Sequence, residues 1–192
     1  HSRYCVLNLP DVFKPNVDGP WIDPEAAVTE ATIAVITKCP SGALRYRPEG
    51  ATPAGGVPGV NTIRVWEDGP LAVHAELNVA GDTSSHRATL CRCGKSFNKP
   101  YCDRMHVKAG FRATGEPPSG EAETLTVKNG PLKVMPTKDG PLHVEGALEI
   151  CSASGRTITR TMETWLCRCG HSNNKPFCDG SHSKVGFSAP GE

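Results

Sequence analysis

The sequence predicts a mostly β protein with short helices, an α+β fold in which two tandem homologous units follow a small N-terminal segment. Three observations support this expectation. A segment of 21 residues occurs twice with 14 identical positions, runs rich in Val, Ile and Thr precede each copy, and six of the nine cysteines lie within the two copies. A length of 192 residues corresponds to one domain or to two small ones.

The repeat occupies the second two-thirds of the chain. Residues 91–111 read CRCGKSFNKPYCDRMHVKAGF, and residues 167–187 read CRCGHSNNKPFCDGSHSKVGF, at a constant offset of 76. A shorter shared string precedes each copy, DGPLAV at 68–73 and DGPLHV at 139–144. Because repeated strings indicate repeated structural units, we expect two related units in one polypeptide.

The repeat and the composition together predict three segments. They are an N-terminal segment over residues 1–50, a first repeated unit over 60–116 and a second over 121–190. GEPPSGE at 115–121 and the Gly- and Pro-rich stretch 48–59 have the composition of linkers.

Local patterns predict the secondary structure of these segments. Residues 24–38 place apolar residues among good helix formers and carry a proline suited to a first helical turn, so they predict one longer helix. Near the cysteines, helical potential is limited to a turn or two after Asp103 and Asp179, which are suited to N-cap positions. Five runs rich in β-branched residues predict strands, at 61–67, 71–79, 123–128, 141–150 and 156–165.

The composition disfavours several function classes. The net charge is +1, so the chain lacks the basic excess that drives binding to nucleic acid phosphates. No apolar run approaches the roughly 18 residues of a membrane span. We also find no dinucleotide fingerprint, phosphate loop or nucleophile constellation, and therefore do not expect an enzyme.

The cysteines indicate metal ligands in a reducing compartment. Their number, nine, is odd, so they cannot all pair within one chain. A chain with a small apolar core often gains stability from a metal site that forms on folding. With no secretory leader in the sequence, we expect the bacterial cytoplasm, with an organelle matrix as the alternative.

Each copy of the repeat contains the pattern Cys-x-Cys-x8-Cys-x3-His. Thiolates and a neutral imidazole are ligands for zinc or for iron–sulfur clusters. Cysteines two apart point the same way in an extended segment, and a Cys and a His four apart share one face of a helical turn. Gly94 and Gly170 allow a sharp turn at the site. The candidate ligands are Cys91, Cys93, Cys102 and His106 in the first copy, and Cys167, Cys169, Cys178 and His182 in the second.

Two kinds of metal centre fit this donor set. One is a Cys3His zinc site that only stabilises the fold. Its usual cysteine spacing, however, is Cys-x2–4-Cys, which is wider than Cys-x-Cys. The tighter pair suits one iron of a binuclear cluster, with the third Cys and the His on the other iron.

The string CRCGHSNNKPFCDGSH resembles the signature of the CDGSH iron–sulfur proteins, the mitoNEET family, since residues 178–182 spell Cys-Asp-Gly-Ser-His. The resemblance implies two 2Fe–2S clusters, each held by three Cys and one His, with Cys178 and His182 on an outer iron near solvent. It also implies that the two CDGSH-type units form an intramolecular pseudo-dimer under a β-rich cap, which makes the chain a monomer.

The first copy departs from this signature, because Arg104 and Met105 stand where the second has Gly180 and Ser181. All four ligands remain, and we expect a cluster there too. An arginine near the outer iron would favour the reduced, more negative cluster and raise its potential. The alternative is an Arg104 side chain that points into solvent.

The N-terminal segment resembles a different family. Cys5, Pro20-Trp21-Ile22, a helix and Cys39-Pro40 are together similar to the divergent ferredoxin-like mono-cluster domain, over about residues 1–47. A 4Fe–4S cluster needs four ligands, and only Cys5 and Cys39 are present in this segment. Either further cysteines upstream have been lost, or the segment keeps a small α+β ferredoxin-like fold without a cluster, and we favour the second. A disulfide between Cys5 and Cys39 is a further alternative.

These observations predict an iron–sulfur protein that acts in electron transfer, in pH-sensitive cluster transfer or in redox sensing. Its partner is an unidentified redox or cluster-acceptor protein, with no role for nucleic acid or membrane. The alternatives are a binding module with two structural zinc sites, and a redox enzyme that passes electrons to a bound substrate.

The single histidine in each ligand set predicts a pH-dependent reduction potential. A bound imidazole keeps a second ring nitrogen that can accept a proton, whereas a bound thiolate does not readily do so. Replacing His182 with Cys should therefore flatten the pH dependence of the potential of the second centre. An identical, flat response in the wild type and in His182→Cys would contradict this interpretation.

Overall fold

The computed structural model describes residues 4–15, 17–39, 44, 46, 57–83, 86–120, 122 and 124–191. The chain forms two compact units, His1–Gly56 and Val57–Glu192. The three-segment boundaries predicted from the sequence stay predictions, as does most of the proposed linker at 48–59, which lies outside the described residues.

The described residues of the N-terminal unit form two α-helices and a 3-10 turn: α1 (Tyr4–Asn8), the turn Pro24–Ala26 and α2 (Thr29–Thr37). Val12 and Phe13 are fully buried between these helices and form the centre of a small core together with Val35. An isolated antiparallel bridge joins Phe13 to Ile22.

The helix predicted at 24–38 is shorter than expected. Ala27 and Val28 are extended, and the Val28 carbonyl accepts hydrogen bonds from the amides of Ala31 and Thr32, so the α-helix starts at Thr29. Pro24 opens a separate 3-10 turn instead of the helix itself.

The second unit is mostly β, as predicted. One seven-stranded sheet has the order β3-β5-β6-β1-β2-β4, and β7 pairs with β6. The only helices in the described part of this unit are the single turns α3 and α4. The elements are β1 (Thr62–Val65), β2 (Leu71–His74), β3 (Glu76–Val79), β4 (Arg87–Leu90), α3 (Met105–Lys108), β5 (Pro131–Pro136), β6 (Leu142–Cys151), β7 (Thr157–Leu166) and α4 (Ser181–Lys184).

The two repeats exchange strands within this sheet. β1 of the first repeat runs parallel to the end of β6 of the second, and β3 of the first runs parallel to β5 of the second. The exchange is reciprocal in register. Thr62 lies opposite Glu149. The two DGPL strings are 71 residues apart, so Lys133 is the equivalent of Thr62 in the second repeat and Asn78 is the equivalent of Glu149 in the first. Lys133 and Asn78 also lie opposite each other.

The exchange explains where the strand predictions differ from the structure. The run 71–79 is two strands, because β2 pairs with β1 and β4 while β3 pairs with β5. Residues 124–128, within the predicted run 123–128, form no strand, and Val127 is exposed. The strand of this region is β5, whose Leu132 and Val134 alternate into the core. The short strand β4 was not predicted.

One continuous apolar core underlies both repeats. Its residues alternate along the strands with partly exposed ones, which is the period expected of a sheet with one buried face. Because strands of both repeats supply this core, the two repeats fold as a single unit. The core residues include Ile63, Val65, Leu71, Val73, Leu77, Leu90, Leu132, Val134, Leu142, Val144, Leu148, Ile150, Ile158 and Leu166.

Asn61 secures the start of β1 between two strands of the other repeat. The side chain is fully buried, and its Nδ2 donates to the carbonyls of Gly130 and Ala147, each at 2.9 Å. The Glu149 amide donates to the Asn61 carbonyl. This one residue therefore contacts the entries of both exchanged strand pairs.

We predict that Asn61→Ala lowers the free energy of unfolding by about 2 kcal/mol, because two buried carbonyls would lose their donor. Urea-induced unfolding measures the effect. Asn129→Ala, at an exposed neighbouring position, should change it little. Equal effects of the two substitutions would contradict the role given to Asn61.

Candidate metal centres

The sequence-predicted ligands of the first copy lie together at the end of β4. Cys91 follows this strand directly, and its Sγ lies 3.7 Å from that of Cys93. Cys102 Sγ lies 3.5 Å from His106 Nδ1 across the start of α3. All three cysteines are buried, and His106 is partly buried.

The second copy repeats this geometry after β7. The Sγ atoms of Cys167 and Cys169 are 3.8 Å apart, and Cys178 Sγ lies 3.4 Å from His182 Nδ1. Cys178 is the one ligand thiol of the eight-residue set that is partly exposed. Each copy thus divides its ligands into a buried Cys–Cys pair and a Cys–His pair nearer the surface.

The two pairs of one copy do not close into a single compact site. Among the described residues, which include all eight candidates, no three of these ligand atoms lie within 4.8 Å of one another. The arrangement is two close pairs set apart, and not a four-ligand shell around one point.

Backbone amides point at the sulfur atoms in both copies. Lys95 and Arg104 donate to Cys93 and Cys102 in the first copy, each at 3.4 Å. His171 donates equivalently to Cys169 at 3.4 Å. Such hydrogen bonds favour the thiolate, the form that binds metal.

The contact between the two thiols of the buried pair changes their acidities in opposite directions. The hydrogen bond between the two sulfur atoms lowers the pKa of Cys91 and raises the pKa of Cys93. Burial raises the pKa of Cys102 and of Cys169. A bound cation reverses this effect, because it deprotonates a coordinating thiol outright.

The two Cys-x-Cys loops are in direct backbone contact with each other. A Cβ atom at Gly94 would overlap the Cys169 carbonyl, and one at Gly170 would overlap the Cys93 carbonyl. Both glycines have positive φ, +74° and +86°, so the sharp turn predicted at these positions is present. Glycine is therefore required here for close approach as well as for backbone conformation.

Asp103 and Asp179 hold the ligand loops closed, although not as the N-caps that the sequence predicts. The N-cap positions belong to Arg104 and Gly180. Asp179 instead accepts amide hydrogen bonds from Asn173, at 2.8 Å, and Ser181, at 3.0 Å. Hydrogen bonds from Ser181 and Asn173 lower the pKa of its carboxyl group.

The family comparisons agree with this geometry. Residues 68–107 and 139–183 match the family described as iron-binding zinc finger, CDGSH type. Residues 1–49 match a second family, the divergent 4Fe–4S mono-cluster. The chain contains two CDGSH-type iron-binding regions. Both matches indicate an iron–sulfur cofactor, and the N-terminal match agrees with the ferredoxin-like resemblance. No curated protein matches the chain.

Each CDGSH region also holds a buried arginine that the sequence analysis missed. Arg92, between the ligands Cys91 and Cys93, is only 1 % exposed, and burial lowers its pKa to about 10. Its donors bind carbonyl groups, and its guanidinium carbon lies 5.4 Å from the centre of the Phe111 ring. The acceptors are Trp66, Gly69, Ala113 and Thr114.

Arg168 makes the equivalent contacts in the second CDGSH region. It binds the carbonyls of Thr137, Gly140 and Pro190 and lies 5.4 Å from the Phe187 ring. Each arginine therefore ties its DGPL turn to the segment that follows the ligand helix. The identical Arg and Phe positions in the two copies were the available signal.

The Arg104 side chain is exposed, as in the solvent-facing alternative. Its positive charge still acts on the site, since the pKa of His106 is lowered first by burial and then by Arg104. The residue has a left-handed backbone conformation, φ +72°, at the position where the second region has Gly180.

One further group of metal-binding residue types lies outside the ligand pattern of the CDGSH regions. His143, Glu145 and Glu163 have ligand atoms within 4.8 Å of one another on neighbouring strands. His143 Nε2 lies 2.7 Å from Glu163 Oε1, and its ring stacks on Trp165 at 4.7 Å. An ion pair and a ring contact thus account for the position of His143.

In the described residues we find no helix with the length and apolar character needed to cross a bilayer.

We predict that Gly94→Ala lowers the free energy of unfolding by about 2 kcal/mol more than Gly110→Ala does, because only the first adds a clash with backbone. Gly110 is the matched control, with φ +60° and nothing within 4 Å of the position that an added methyl carbon would occupy. Urea-induced unfolding compares the two variants. Equal losses would show that the two ligand loops are not in contact.

Proposed function

We propose that this protein holds two 2Fe–2S clusters, one in each CDGSH region, and that it acts in one-electron transfer or in passing a cluster to an acceptor protein. The observation that carries the proposal is the division of each ligand set into two close pairs. A binuclear cluster needs this division, since each of its irons takes two protein ligands.

A structural zinc site fits less well. Tetrahedral zinc with bonds of about 2.3 Å places every two ligand atoms roughly 3.8 Å apart. Cys91 and Cys93 satisfy this spacing with each other, and so do Cys102 and His106, but no three ligand atoms of the set are this close. The donor chemistry, mostly thiolate with one imidazole, suits an iron–sulfur centre.

The protein residues give the two ends of each site different surroundings. When bound, the cluster supplies a centre that accepts and releases one electron. The Cys91–Cys93 and Cys167–Cys169 pairs are buried beside the opposite loop, whereas the Cys–His pairs lie toward solvent. We assign exchange with partners to the Cys–His end, where both histidines and Cys178 are partly exposed, although Cys102 is buried.

The reciprocal strand exchange supports an intramolecular pseudo-dimer. β1 with β6 and β3 with β5 are paired in equivalent registers, as two protomers related by a twofold axis would be. One polypeptide then supplies both halves of the β-rich cap, and we propose that the protein acts as a monomer.

We propose no catalytic residue and no substrate, and we assign the protein a redox or cluster-acceptor protein as its partner. The N-terminal segment matches the divergent mono-cluster family but offers two cysteines, Cys5 and Cys39, where a 4Fe–4S cluster needs four ligands. The proposal therefore gives this segment a ferredoxin-like fold without a cluster.

Iron and acid-labile sulfide analysis tests the cluster count. The anaerobically purified chain should contain about four iron and four sulfide ions, with visible absorption, as two binuclear clusters require. Cys178→Ala should halve these values. Cys151→Ala should leave them unchanged, since Cys151 lies in β6 away from the ligand pattern.

Two outcomes would contradict the proposal. About two zinc ions per chain in a colourless protein would establish the structural zinc module. About two iron ions in the wild-type chain would show that the first CDGSH region, with Arg104 and Met105, does not hold a cluster.

A further inference from the structure

The two CDGSH regions have the same backbone but different surfaces around their Cys–His ends. The 76-residue offset sets Phe97 against Asn173, and three positions on or before the ligand helix differ in the same direction. The first region is apolar or basic where the second is small or polar. These three pairs are Arg104 and Gly180, Met105 and Ser181, and Val107 and Ser183.

The Asp103 carboxylate binds the backbone amides of two of these residues close to the candidate ligands Cys102 and His106. Asp103 accepts the amide of Phe97 at 2.8 Å with one oxygen and the amide of Met105 at 3.0 Å with the other. Both residues therefore lie next to the Cys102–His106 pair. The same clamp holds Asn173 and Ser181 in the second region, so the backbone does not explain the apolar side chains.

Phe97 and Val107 are not used to pack the fold, whereas Met105 is partly buried. Phe97 is 89 % exposed and Val107 is 62 % exposed, the largest values for apolar side chains of this region. Single exposed apolar residues are normal, but a cluster with a charged rim marks an interaction surface. Neither residue belongs to the apolar core.

Positively charged residues adjoin these side chains in the sequence: Lys95 lies two residues before Phe97, and Arg104 and Lys108 flank Met105 and Val107. Lys95, Arg104 and Lys108 are exposed, and none of them forms an ion pair with any residue that the structure describes. At the equivalent positions the second region keeps only Lys184, beside His171 and Gly180. The excess of positive charge is therefore specific to the first region, although the whole chain carries a net charge of only +1.

We propose that this surface, called the rim patch and formed by Phe97, Met105, Val107, Lys95, Arg104 and Lys108, docks an acidic protein whose binding face has an apolar centre within a ring of carboxylates. The inference rests on the proposed function, because a partner bound here covers the accessible Cys–His end of the first site. The second region, which lacks the patch, does not dock this partner.

The composition of the rim patch fits a transient interface. An exposed aromatic ring at the centre supplies most of the contact energy of such surfaces, and the charged rim steers the encounter and sets its orientation. Short-lived redox encounters bury little area, at the low end of the range for specific complexes. Two exposed apolar side chains, the partly buried Met105 and three exposed basic residues are consistent with that scale.

The probe for the test is a plant-type 2Fe–2S ferredoxin, an acidic redox protein, added to the cluster-loaded full chain at low ionic strength. The triple variant Phe97→Asn, Met105→Ser, Val107→Ser carries the second region's own residues on an unchanged backbone. Its dissociation constant should rise about tenfold or more, as loss of a central aromatic anchor predicts. Asn173→Ser is the matched control and should bind like the wild type.

Carbodiimide cross-linking locates the contact independently of affinity. Ferredoxin carboxylates should cross-link to Lys95 and Lys108, and not to Lys184, the equivalent lysine of the second region. The reverse triple variant, Asn173→Phe, Ser181→Met, Ser183→Val, should add a cross-link at Lys184.

The inference is overturned if the ferredoxin does not bind at low ionic strength, or if the first triple variant has an unchanged dissociation constant. Equal cross-linking of Lys108 and Lys184 would overturn it as well. If added salt weakens binding while Phe97→Asn leaves it unchanged, binding reflects general attraction to polyanions, and the inference is again wrong. Measuring iron in the same samples separates failure of the docking proposal from failure of the proposed function. A chain that contains four iron ions and does not bind the ferredoxin contradicts docking alone.

Discussion

The contact between the two Cys-x-Cys loops is the constraint on which the rest of the structure depends. Gly94 and Gly170 let each loop lie against the carbonyl group of a cysteine ligand in the other, and no larger residue fits at either position. The same two repeats exchange strands within the sheet in equivalent registers. Neither repeat supplies all the neighbours of its own strands, so the two candidate ligand loops are held by one shared fold.

Burial of a positive charge beside each centre follows from the same arrangement. Arg92 has hydrogen-bond partners for its guanidinium donors, yet these partners are carbonyl groups and supply no negative charge. After burial, which lowers the pKa of both arginines, the largest opposing effect on Arg92 is attraction to the thiolate form of Cys167 in the opposite region. The thiolate form of Cys91 has the same effect on Arg168. An isolated buried charge is costly, and metal-binding thiolates reduce that cost across the contact between the loops. The arginines also join the turn before each site to the segment after it.

Local patterns in the sequence were sufficient to predict the mostly β class and the close pairs of candidate ligands, because ligand spacing and strand alternation involve residues close in the chain. The structure brings all eight predicted ligand residues into the expected pairs. The strand exchange was not predictable in this way, since pairing of β1 with β6 depends on residues about 87 positions apart, as Thr62 and Glu149 show. The run at 71–79 alternates throughout and gives no sign that it changes partners at Ala75. Arg92 was missed because a charged residue between two ligands is ordinarily exposed, whereas here it is buried against carbonyl groups.

The central claim is that each ligand set holds two metal ions, and iron K-edge X-ray absorption of the purified chain tests it most directly. If each ligand set holds two metal ions, the spectrum contains an iron–iron scattering path, with sulfur as the main ligand and a minor nitrogen contribution from the histidine of each site. Cys102→Ser should reduce the sulfur contribution from protein ligands without creating a new metal–metal path. Isolated metal ions with four protein ligands and no metal–metal path would contradict the account, since they would require a single-ion site that the separated ligand pairs do not form.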